Sequence, residues 1–323
     1  MPSACSPNCT TGARCTLIEI EDYPFTGYLA ADGFLDPLLE ELGDAVSHVH
    51  GRLVFAPGPP RPAAWSQNTW LAPRLVRFES NGDAARALKD MQRNWAFYGV
   101  EHHRRAALIQ EKLPHVSAKP LVFPQAAPTA PLGSWTLLDR TTMIASAACS
   151  SPFPNGEVAF VEDREGPPSR AYLKLWEAFT LAGRMPGPGD RVIDLGSCPG
   201  GWTWVLQRLG AHVVSVDKAP LDPRVARLPN VEFRQESAFG LKPADVGAVD
   251  WLLSDVICYP QRLLRLAQEW IDSGLAHNFL CTIKFQGETD HATARAFAEI
   301  PGSRVLHLSA NKHELTWIRQ SDG

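Results

Sequence analysis

The pattern of hydrophobic positions is most regular in the second half of the chain. From Asp190 onward, short apolar runs typical of buried strands alternate with segments whose apolar residues recur at helical spacing. We predict strands at RVIDLG, AHVVSVDKA, NVEFRQES, VDWLLSDV and NFLCTIKF, helices at GGWTWVLQRLG, PQRLLRLAQEWIDSG and DHATARAFAEI, and a closing pair of strands at SRVLHLSA and ELTWIRQ. This alternation requires a mostly parallel sheet with helices on both faces and the closing pair as an antiparallel edge. The predicted fold is a doubly wound, Rossmann-like α/β sheet.

The first half predicts a smaller α/β unit. Strands are expected at CTLIEI and SHVHGRLVFAP, and between them Phe34, Leu38 and Leu42 share one face of a helix over residues 33–43. The segments PRLVRFES and DAARALKDMQRNW repeat the order of strand and helix. This repetition indicates a small sandwich of the ferredoxin-like type.

A proline-rich segment separates the two patterns. Five prolines between residues 114 and 133 predict an extended connector. Two strands around a Pro-Asn-Gly turn are expected after it, followed by a helix from about residue 171 to residue 184. The predicted organisation is a disordered tail over residues 1–15, an N-terminal α/β region over residues 16–165 that includes the connector, and the larger α/β domain over residues 166–323.

Composition narrows the possible functions. The 323 residues are 45% hydrophobic with a net charge of −4, which suits a globular protein of about two domains and argues against a polycation that coats nucleic acid. The seven cysteines include no C-x-x-C pair, and Cys5, Cys9 and Cys15 lack an evident fourth ligand, so we expect neither a disulfide framework nor a metal site. No apolar run approaches the roughly 20 residues of a membrane span, and we see no signal-peptide pattern. We therefore expect a cytoplasmic monomer without a membrane partner.

The stretch VIDLGSCPGGWTWVL joins the first strand of the predicted sheet to its helix, the place where such sheets bind ligands. Gly200 and Gly201 allow the backbone to approach a ligand closely. Asp217 ends the next strand 21 residues after Gly196, where an acid can accept hydrogen bonds from both hydroxyls of a ribose. Pro199 replaces a glycine of the dinucleotide fingerprint G-x-G-x-x-G and fits a pyrophosphate poorly. The pattern favours a nucleoside without phosphates, such as S-adenosylmethionine, over the alternative of a tight turn without a ligand.

The same stretch carries a family resemblance. DLGSCPGGWTWVL followed by VDKAP resembles the FtsJ-like family of RNA ribose 2′-O-methyltransferases, most closely its RlmM-type branch, which acts on large-subunit ribosomal RNA. PPSRAYLKLWEAF, LLSDV, CTIKFQG and NKHELTWI extend the resemblance over roughly residues 169 to 320. The resemblance implies methyl transfer from S-adenosylmethionine to a ribose 2′-hydroxyl of structured RNA, with a cytidine of large-subunit ribosomal RNA as the expected target.

The resemblance also implies site residues. Matching the segments places the family's catalytic Lys-Asp-Lys-Glu tetrad on Lys174, Asp255, Lys284 and Glu314. Where the family has an acid near the adenine, RQES offers Ser237 with Glu236 adjacent, and VICYP replaces the Met-Ala-Pro-Asn of the FtsJ-proper branch. The implied cofactor contacts are Ser169, Gly196, Cys198, Pro199, Gly200, Gly201, Trp202, Asp217, Ser237 and Asp255.

The chemistry of methyl transfer to a hydroxyl is consistent with these residue types. The site has to align the hydroxyl with the methyl group and take up the hydroxyl proton. A lysine accepts that proton only if its pKa is lowered, and we expect burial and the pairing of Lys174 with Lys284 to lower it. Lys284 ends the apolar strand CTIKF and Asp255 ends VDWLLSD, so both belong at the carboxyl edge of the sheet. Without the resemblance, Glu314 would be interpreted as a solvated acid and Lys174 as a helix-surface lysine.

The most basic local stretch runs from Arg86 to Lys119 and interleaves seven Lys or Arg residues with Trp95, Phe97 and Tyr98. Cations for phosphates and aromatic faces for unstacked bases are typical of single-stranded RNA recognition. An amphipathic helix with a solvated basic face and buried aromatics explains the stretch about as well, so both interpretations stay open. The resemblance suggests an RNA-binding region of ferredoxin-like and THUMP type in the N-terminal half.

Three other functions stay open. The fold is compatible with a catalytically inactive RNA-binding or ribosome-assembly factor, although the complete tetrad argues against it. Transfer RNA or a messenger cap would suit the same tetrad chemistry. An NAD-linked oxidoreductase is disfavoured because the turn lacks G-x-G-x-x-G.

Overall fold

The computed structural model describes residues 18–321, whose strands and helices we number in chain order. The first elements are β1 (Glu19–Asp22), β2 (Phe25–Ala30), α1 (Leu35–Leu42), β3 (His48–His50), β4 (Leu53–Pro57) and β5 (Ser66–Trp70). The next are β6 (Pro73–Arg77), α2 (Asn81–Met91), β7 (Trp95–Phe97), α3 (His103–Gln110), β8 (Gly133–Leu137) and β9 (Thr142–Ser146). The last are α4 (Tyr172–Ala182), β10 (Arg191–Leu195), α5 (Gly201–Arg208), β11 (His212–Asp217), α6 (Pro223–Ala226), β12 (Val231–Gln235), α7 (Pro243–Val246), β13 (Val249–Ser254), α8 (Pro260–Ser273), β14 (Ala276–Lys284), α9 (His291–Ala298), β15 (Ser303–Leu306) and β16 (Glu314–Arg319).

The largest sheet has seven strands in the order β12-β11-β10-β13-β14-β16-β15. The strands from β10 to β14 run parallel, and β16 is antiparallel to both β14 and β15. The strand order reverses between β10 and β13, so the turn after β10 lies at the switch point where such sheets bind ligands. The predicted doubly wound fold is confirmed, with the difference that β16 lies inside the sheet and only β15 is at the edge.

Residues of β10 show why both faces of this sheet are covered. Val192 packs in the cluster that contains α4 and α5, whereas Ile193 and Leu195 pack in the cluster that contains α8 and α9. Successive side chains of a strand point to opposite faces, so a continuous apolar run is stable only when both faces are buried.

A four-stranded antiparallel sheet, which we call the small sheet, has the order β3-β4-β2-β5. Counted from β2, this is the strand order of a ferredoxin-like sheet, with α1 between its first two strands. The segment between β4 and β5 contains Pro59, Pro60 and Pro62 and forms no helix, since proline lacks the N–H that a helix interior needs. The predicted smaller α/β unit is confirmed, with one helix instead of two.

A five-stranded sheet, in the order β1-β6-β9-β8-β7, forms the rest of the N-terminal region. The sequence pattern predicted that β6 and α2 belong to one sandwich with α1. In the structure β6 is a strand of this second sheet, and α2 packs in its core. Residues 114–132 form no regular helix or strand and link α3 to β8. The connector therefore joins two elements of one sheet, and its Phe123 stacks on Trp176 of α4 with ring centroids 4.9 Å apart.

Two predicted strand segments are divided differently in the structure. SHVHGRLVFAP forms a hairpin of β3 and β4, with Gly51 in its turn at φ +61°, a conformation that glycine adopts without steric cost. The strands β8 and β9 are joined near Asp139, whose Oδ1 accepts from the backbone N–H of Thr141 at 2.6 Å. The Pro-Asn-Gly sequence at residues 154–156 instead forms a short 3-10 helix. The Pro-Asn-Gly turn was therefore predicted at the wrong place, and the turn at Gly51 was not predicted.

The small sheet and the seven-stranded sheet share one hydrophobic cluster, which joins β2, α1 and β4 to α8, β14 and α9. Trp65, just before β5, is fully buried, and its ring centroid lies 5.9 Å from those of both Phe285 and His313. His307 lies 5.2 Å from the same ring and donates its backbone N–H to Ala64 O at 2.8 Å. The two parts of the chain are therefore held together by a common core.

A buried histidine in this shared core makes the free energy of unfolding depend on pH. Burial, together with the charge of His313, lowers the pKa of His307 from 6.5 to about 4, although its hydrogen bond to Lys312 O opposes the shift. Between these two values the unfolded chain binds a proton that the folded protein does not. Stability is therefore lost as pH falls through this window, by about 3 kcal/mol for the full shift.

We expect His307→Gln to have a flatter dependence of unfolding free energy on pH within that window, measured by chemical denaturation. His115→Gln, which changes an exposed histidine of the connector, is the matched control and is expected to follow the wild type. Equal slopes for the wild type and His307→Gln would contradict the assignment.

Several sequence predictions concern residues outside the described range. The predicted tail over residues 1–15, with Cys5, Cys9 and Cys15, lies there entirely, as does the first half of the strand predicted at CTLIEI, whose remainder begins β1. Within residues 18–321 no helix is long and apolar enough to cross a bilayer. The same residues contain no cluster of three or more side chains arranged to hold a metal ion.

Candidate active site

The turn after β10 brings the backbones of two strand ends into contact. Gly196 has φ +78°, and a Cβ atom there would lie 2.6 Å from the Cα of Val256, in the segment after β13. Gly200 has φ +116° and immediately precedes α5. Both positions need glycine, because a side chain would be strained in this conformation and would collide with neighbouring atoms. Residues 196–201, which we call the cradle, thus form a closely packed glycine turn at the switch point.

Asp217 is tied directly to this cradle. It ends β11, and its Oδ2 accepts from the backbone N–H of Cys198 at 3.0 Å while its Oδ1 accepts from that of Ala219 at 2.9 Å. Each carboxylate oxygen keeps a further lone pair for another donor. The structure therefore places the predicted ribose acceptor beside the predicted turn.

Two buried hydroxyl groups face the same region without a partner. Ser169 Oγ and Ser197 Oγ are buried and have no hydrogen-bond partner among residues 18–321. A Cβ on Gly201 would lie 2.7 Å from Ser169 Oγ, so this serine borders the start of α5. Buried polar groups are normally hydrogen-bonded, so these two hydroxyl groups are available to a polar ligand of the turn. The residues present fit a nucleoside cofactor, and Ser197 was not among the predicted contacts.

Trp202 and Ser237 lie on either side of the cradle. Trp202 is buried, and its Nε1 donates to Ala171 O at 2.9 Å, which ties α5 to the start of α4. Ser237 is half-buried two residues beyond Gln235, which pairs with Asp217 between β12 and β11. Glu236 is exposed. Ser237 is thus positioned at the correct sheet edge, and its role as a cofactor contact stays a prediction.

The four predicted tetrad residues form one cluster, at the ends of β13 and β14, the start of β16 and the first turn of α4. Lys174 Nζ donates to Asp255 Oδ1 at 2.8 Å and to Glu314 Oε1 at 3.1 Å. Lys284 Nζ lies 3.1 Å from the same Asp255 oxygen and donates to Asp255 O at 2.5 Å. Lys284 and Glu314 are directly paired residues of β14 and β16. The sequence prediction that these residues converge agrees with the geometry.

The pKa of Lys174 in this cluster is shifted in the opposite direction to the one expected from the sequence. Burial by itself lowers the pKa of Lys174, but the carboxylates of Asp255 and Glu314 outweigh it, so the pKa of Lys174 is raised. Burial likewise opposes the ionised form of Asp255, but Lys174 and Lys284 hold its pKa below the usual value. The predicted lowering of the lysine pKa was therefore wrong for Lys174, because two acids rather than a second lysine surround its ammonium group.

Asp194 is a further buried acid next to the cradle. It lies in β10, where its Oδ2 accepts from Thr203 Oγ1 at 2.7 Å and its Oδ1 has no partner among residues 18–321. Burial raises its pKa to about 7, and the nearby charges of Asp255 and Asp217 act in the same direction. An acid inside the apolar run VIDLG was a visible signal that the sequence analysis did not use.

The basic stretch from Arg86 to Lys119 divides into surface cations and core aromatics. Trp95 and Tyr98 are buried, and Trp95 Nε1 donates to the carbonyls of Leu88 and Gln92. Arg105 donates to Glu79 O, and its guanidinium lies over the Phe78 ring. The aromatic residues therefore stabilise the N-terminal core, and the exposed cations are Arg86, Lys89, Arg93, Arg104, Lys112 and Lys119.

Residues 167–294 match the FtsJ-like methyltransferase family. The resemblance predicted from the sequence is confirmed for this part of the chain. Similar proteins include the ribosomal RNA large subunit methyltransferase M of Halorhodospira halophila, 39% identical over 120 residues that cover 36% of this chain and 35% of that protein. The enzyme of the same name from Xanthomonas oryzae pv. oryzae is 37% identical over 147 residues, 44% of this chain and 42% of the relative. The chain thus spans about two fifths of the length of these curated relatives.

Two solved structures show similarity to part of the chain. The fibrillarin pre-rRNA processing protein of Methanococcus jannaschii is 18% identical with a TM-score of 0.35, and the match covers 46% of this chain and 75% of that one. Aeropyrum pernix fibrillarin, solved with natively bound S-adenosyl-L-methionine, is 20% identical with a TM-score of 0.32, covering 45% and 73%.

Proposed function

We propose that this protein transfers the methyl group of S-adenosylmethionine to a ribose 2′-hydroxyl of structured RNA, with large-subunit ribosomal RNA as the substrate. The observation that carries the proposal is the cluster of Lys174, Asp255, Lys284 and Glu314 at the carboxyl edge of the sheet, where Asp255 follows the strand beside the glycine cradle. The match of residues 167–294 to FtsJ-like methyltransferases supports the same chemistry. The proposal includes a monomeric, cytoplasmic enzyme and a cytidine as the target.

The cradle supplies the cofactor contacts in this proposal. When bound, S-adenosylmethionine would supply a methyl group on a sulfonium, whose sulfur leaves as a thioether when a ribose oxygen takes the methyl. Asp217 accepts hydrogen bonds from the hydroxyl groups of the cofactor ribose. Ser169 and Ser197 offer hydroxyl groups that lack partners among residues 18–321. The backbone of residues 196–201 approaches the cofactor, with Cys198 and Pro199 at the turn and Trp202 behind it. Ser237 borders the adenine side.

The charge arrangement assigns different tasks to the two lysines. Lys174 is held as an ammonium ion between Asp255 and Glu314, so it fixes both carboxylates and is not available as a base. Lys284 has fewer acidic contacts and lies at the open end of β14, so it is the lysine that takes the proton from the RNA hydroxyl. Asp255 orients Lys284 through its side chain and its carbonyl oxygen. A general base has to contact the hydroxyl group whose proton it takes.

Exposed cations of the N-terminal region supply phosphate contacts in the proposal. Arg93, Arg104 and Lys112 are exposed on or beside α2 and α3. Arg105 is excluded from this role because its guanidinium is engaged with Glu79 O and the Phe78 ring. Base stacking by Trp95 and Tyr98 is excluded as well, because both side chains are buried.

We expect Asp217→Asn to weaken binding of S-adenosylmethionine by about 10- to 100-fold, because hydrogen bonds to a charged acceptor contribute more than those to a neutral one. Isothermal calorimetry measures this affinity. Asp222→Asn is the matched control, since this neighbouring acid caps α6 by accepting from Arg224 N. Unchanged affinity in Asp217→Asn would show that the ribose is held elsewhere.

The alternative of an inactive RNA-binding factor lacks a specific observation in its favour. The tetrad is complete and in mutual contact, which a protein without catalysis would not need. Detection of methyl transfer to RNA distinguishes the two functions.

A further inference from the structure

The segment that follows Asp255 exposes two large apolar side chains. Ile257 is 76% exposed and Tyr259 is 63% exposed, the highest values for large hydrophobic residues within residues 18–321. Cys258 between them and Pro260 after them are buried. Ile257 and Tyr259 are therefore both open to solvent on either side of a buried cysteine, two and four residues from the proposed catalytic acid.

This pair is mounted on a fixed backbone. Tyr259 O accepts from the backbone N–H groups of Arg262 and Leu263 at the start of α8, at 2.9 and 3.3 Å. Cys258 packs in the hydrophobic core, and Val256 contacts the glycine cradle at Gly196. A rigid apolar surface loses little conformational entropy when it binds a ligand.

Tyr259 also borders a cavity of about 400 Å³ between the start of α8 and the segment after β14. Phe285, the neighbour of Lys284, lies on its wall together with Gln261 and Gln286. Glu288 and Asp290 contribute carboxylates to the same wall, which disfavours a phosphate group there. The cavity therefore combines apolar and amide surfaces with carboxylates, which suits an uncharged planar ring better than a phosphate, and its wall includes the chain neighbour of the proposed catalytic lysine.

We propose that Ile257 and Tyr259 form a stacking platform for an unstacked base of single-stranded RNA, next to the ribose that is methylated. The inference rests on the proposed function, because the ribose delivered to Lys284 carries its base on C1′, the carbon next to the C2′ that bears the reacting hydroxyl. A base that leaves the RNA stack loses stacking energy, and an aromatic side chain replaces it. The phenol ring of Tyr259 provides this face, and Ile257 extends it.

The first test measures methyl transfer to large-subunit ribosomal RNA from cells that lack the gene. Tyr259→Ala is expected to raise KM for the RNA by about 5- to 150-fold, the range for loss of one stacked base. Tyr259→Phe keeps the ring and is expected to stay near the wild type, and affinity for S-adenosylmethionine is expected to be unchanged in both. Val122→Ala, which truncates an exposed apolar residue of the connector, is the matched control. An unchanged KM in Tyr259→Ala would overturn the platform while leaving methyl transfer intact.

A second measurement is independent of catalysis. A short single-stranded RNA that carries 2-aminopurine reports stacking by loss of fluorescence. We expect the wild type and Tyr259→Phe to quench it and Tyr259→Ala to quench it much less. Equal quenching by all three, or none, would overturn the platform even if the protein methylates no RNA. In that case the patch would instead suit a protein partner.

Discussion

Lys284→Ala is expected to reduce methyl transfer by about 10²–10⁴-fold, the typical contribution of general base catalysis. Affinity for S-adenosylmethionine is expected to stay within a few-fold of the wild type, because the cradle follows β10 and Asp217 ends β11, two strands that β13 separates from β14. Methyl transfer is expected to depend on Lys284 because the two lysines of the tetrad have different charged contacts. Lys174 is held between two carboxylates, whereas Lys284 forms an ion pair only with Asp255 within residues 18–321, so we assign the proton transfer to Lys284.

Two further variants separate the role of Lys284 as a base from its charge. Lys284→Arg keeps a cation but gives up proton transfer, because a guanidinium stays protonated, so we expect it to be as inactive as the alanine variant. Lys312→Ala changes an exposed lysine in the loop before β16 and is expected to be fully active. Initial rates with labelled cofactor measure all three. Activity of Lys284→Ala above about a tenth of the wild type would remove Lys284 from the role of base.

Trp65→Ala is expected to lower the unfolding free energy by about 3–5 kcal/mol, the usual cost of truncating a buried tryptophan. It is also expected to lower kcat, because Trp65 packs on Phe285 and His313, the chain neighbours of Lys284 and Glu314. Phe285 N donates to His313 O at 3.4 Å, so the two segments are linked beneath the ring. We therefore regard Trp65 as a positioning residue, which acts on Lys284 and Glu314 through the ends of β14 and β16.

The control for this prediction is a tryptophan of equal burial in the other N-terminal sheet. Trp95 is buried in the core of the five-stranded sheet and belongs to a different hydrophobic cluster. Trp95→Ala and Trp65→Ala are expected to lose similar stability in chemical denaturation, but only Trp65→Ala should lose kcat at a temperature where both are folded. Trp65→Phe keeps a ring in place and is expected to recover most of the turnover. Equal kcat for the two alanine variants would show that Trp65 has a purely structural role.

Local patterns were sufficient to predict the seven-stranded sheet and the position of the glycine turn at its switch point. Continuous apolar strands such as VIDLG and NFLCTIKF occur only where both faces are covered, so their order determined the fold. The tetrad was predicted by resemblance alone for Lys174 and Glu314, because neither a helix lysine nor a strand-initial acid shows its burial in the sequence. The structure shows that both are largely buried and joined by a hydrogen bond.

Long-range packing was outside the reach of such patterns. Nothing in the local sequence around Trp65 indicates that it packs on Phe285, more than two hundred residues away. The division of the N-terminal region into two sheets was missed for the same reason, since β6 and α2 have the same local pattern as the elements of the small sheet. The pKa of Lys174 was predicted in the wrong direction because the number of acids around it depends on tertiary contacts with Asp255 and Glu314.

Incubation of the purified protein with labelled S-adenosylmethionine and large-subunit ribosomal RNA from cells that lack the gene tests the central claim most directly. The position of the label is determined by alkaline hydrolysis, which leaves a linkage beside a 2′-O-methyl ribose intact. The predicted result is label at a single nucleotide, in a linkage that resists alkali, and its absence when Lys284→Ala replaces the wild type. Label on a base, or no label in the RNA although the protein binds the cofactor, would contradict the account.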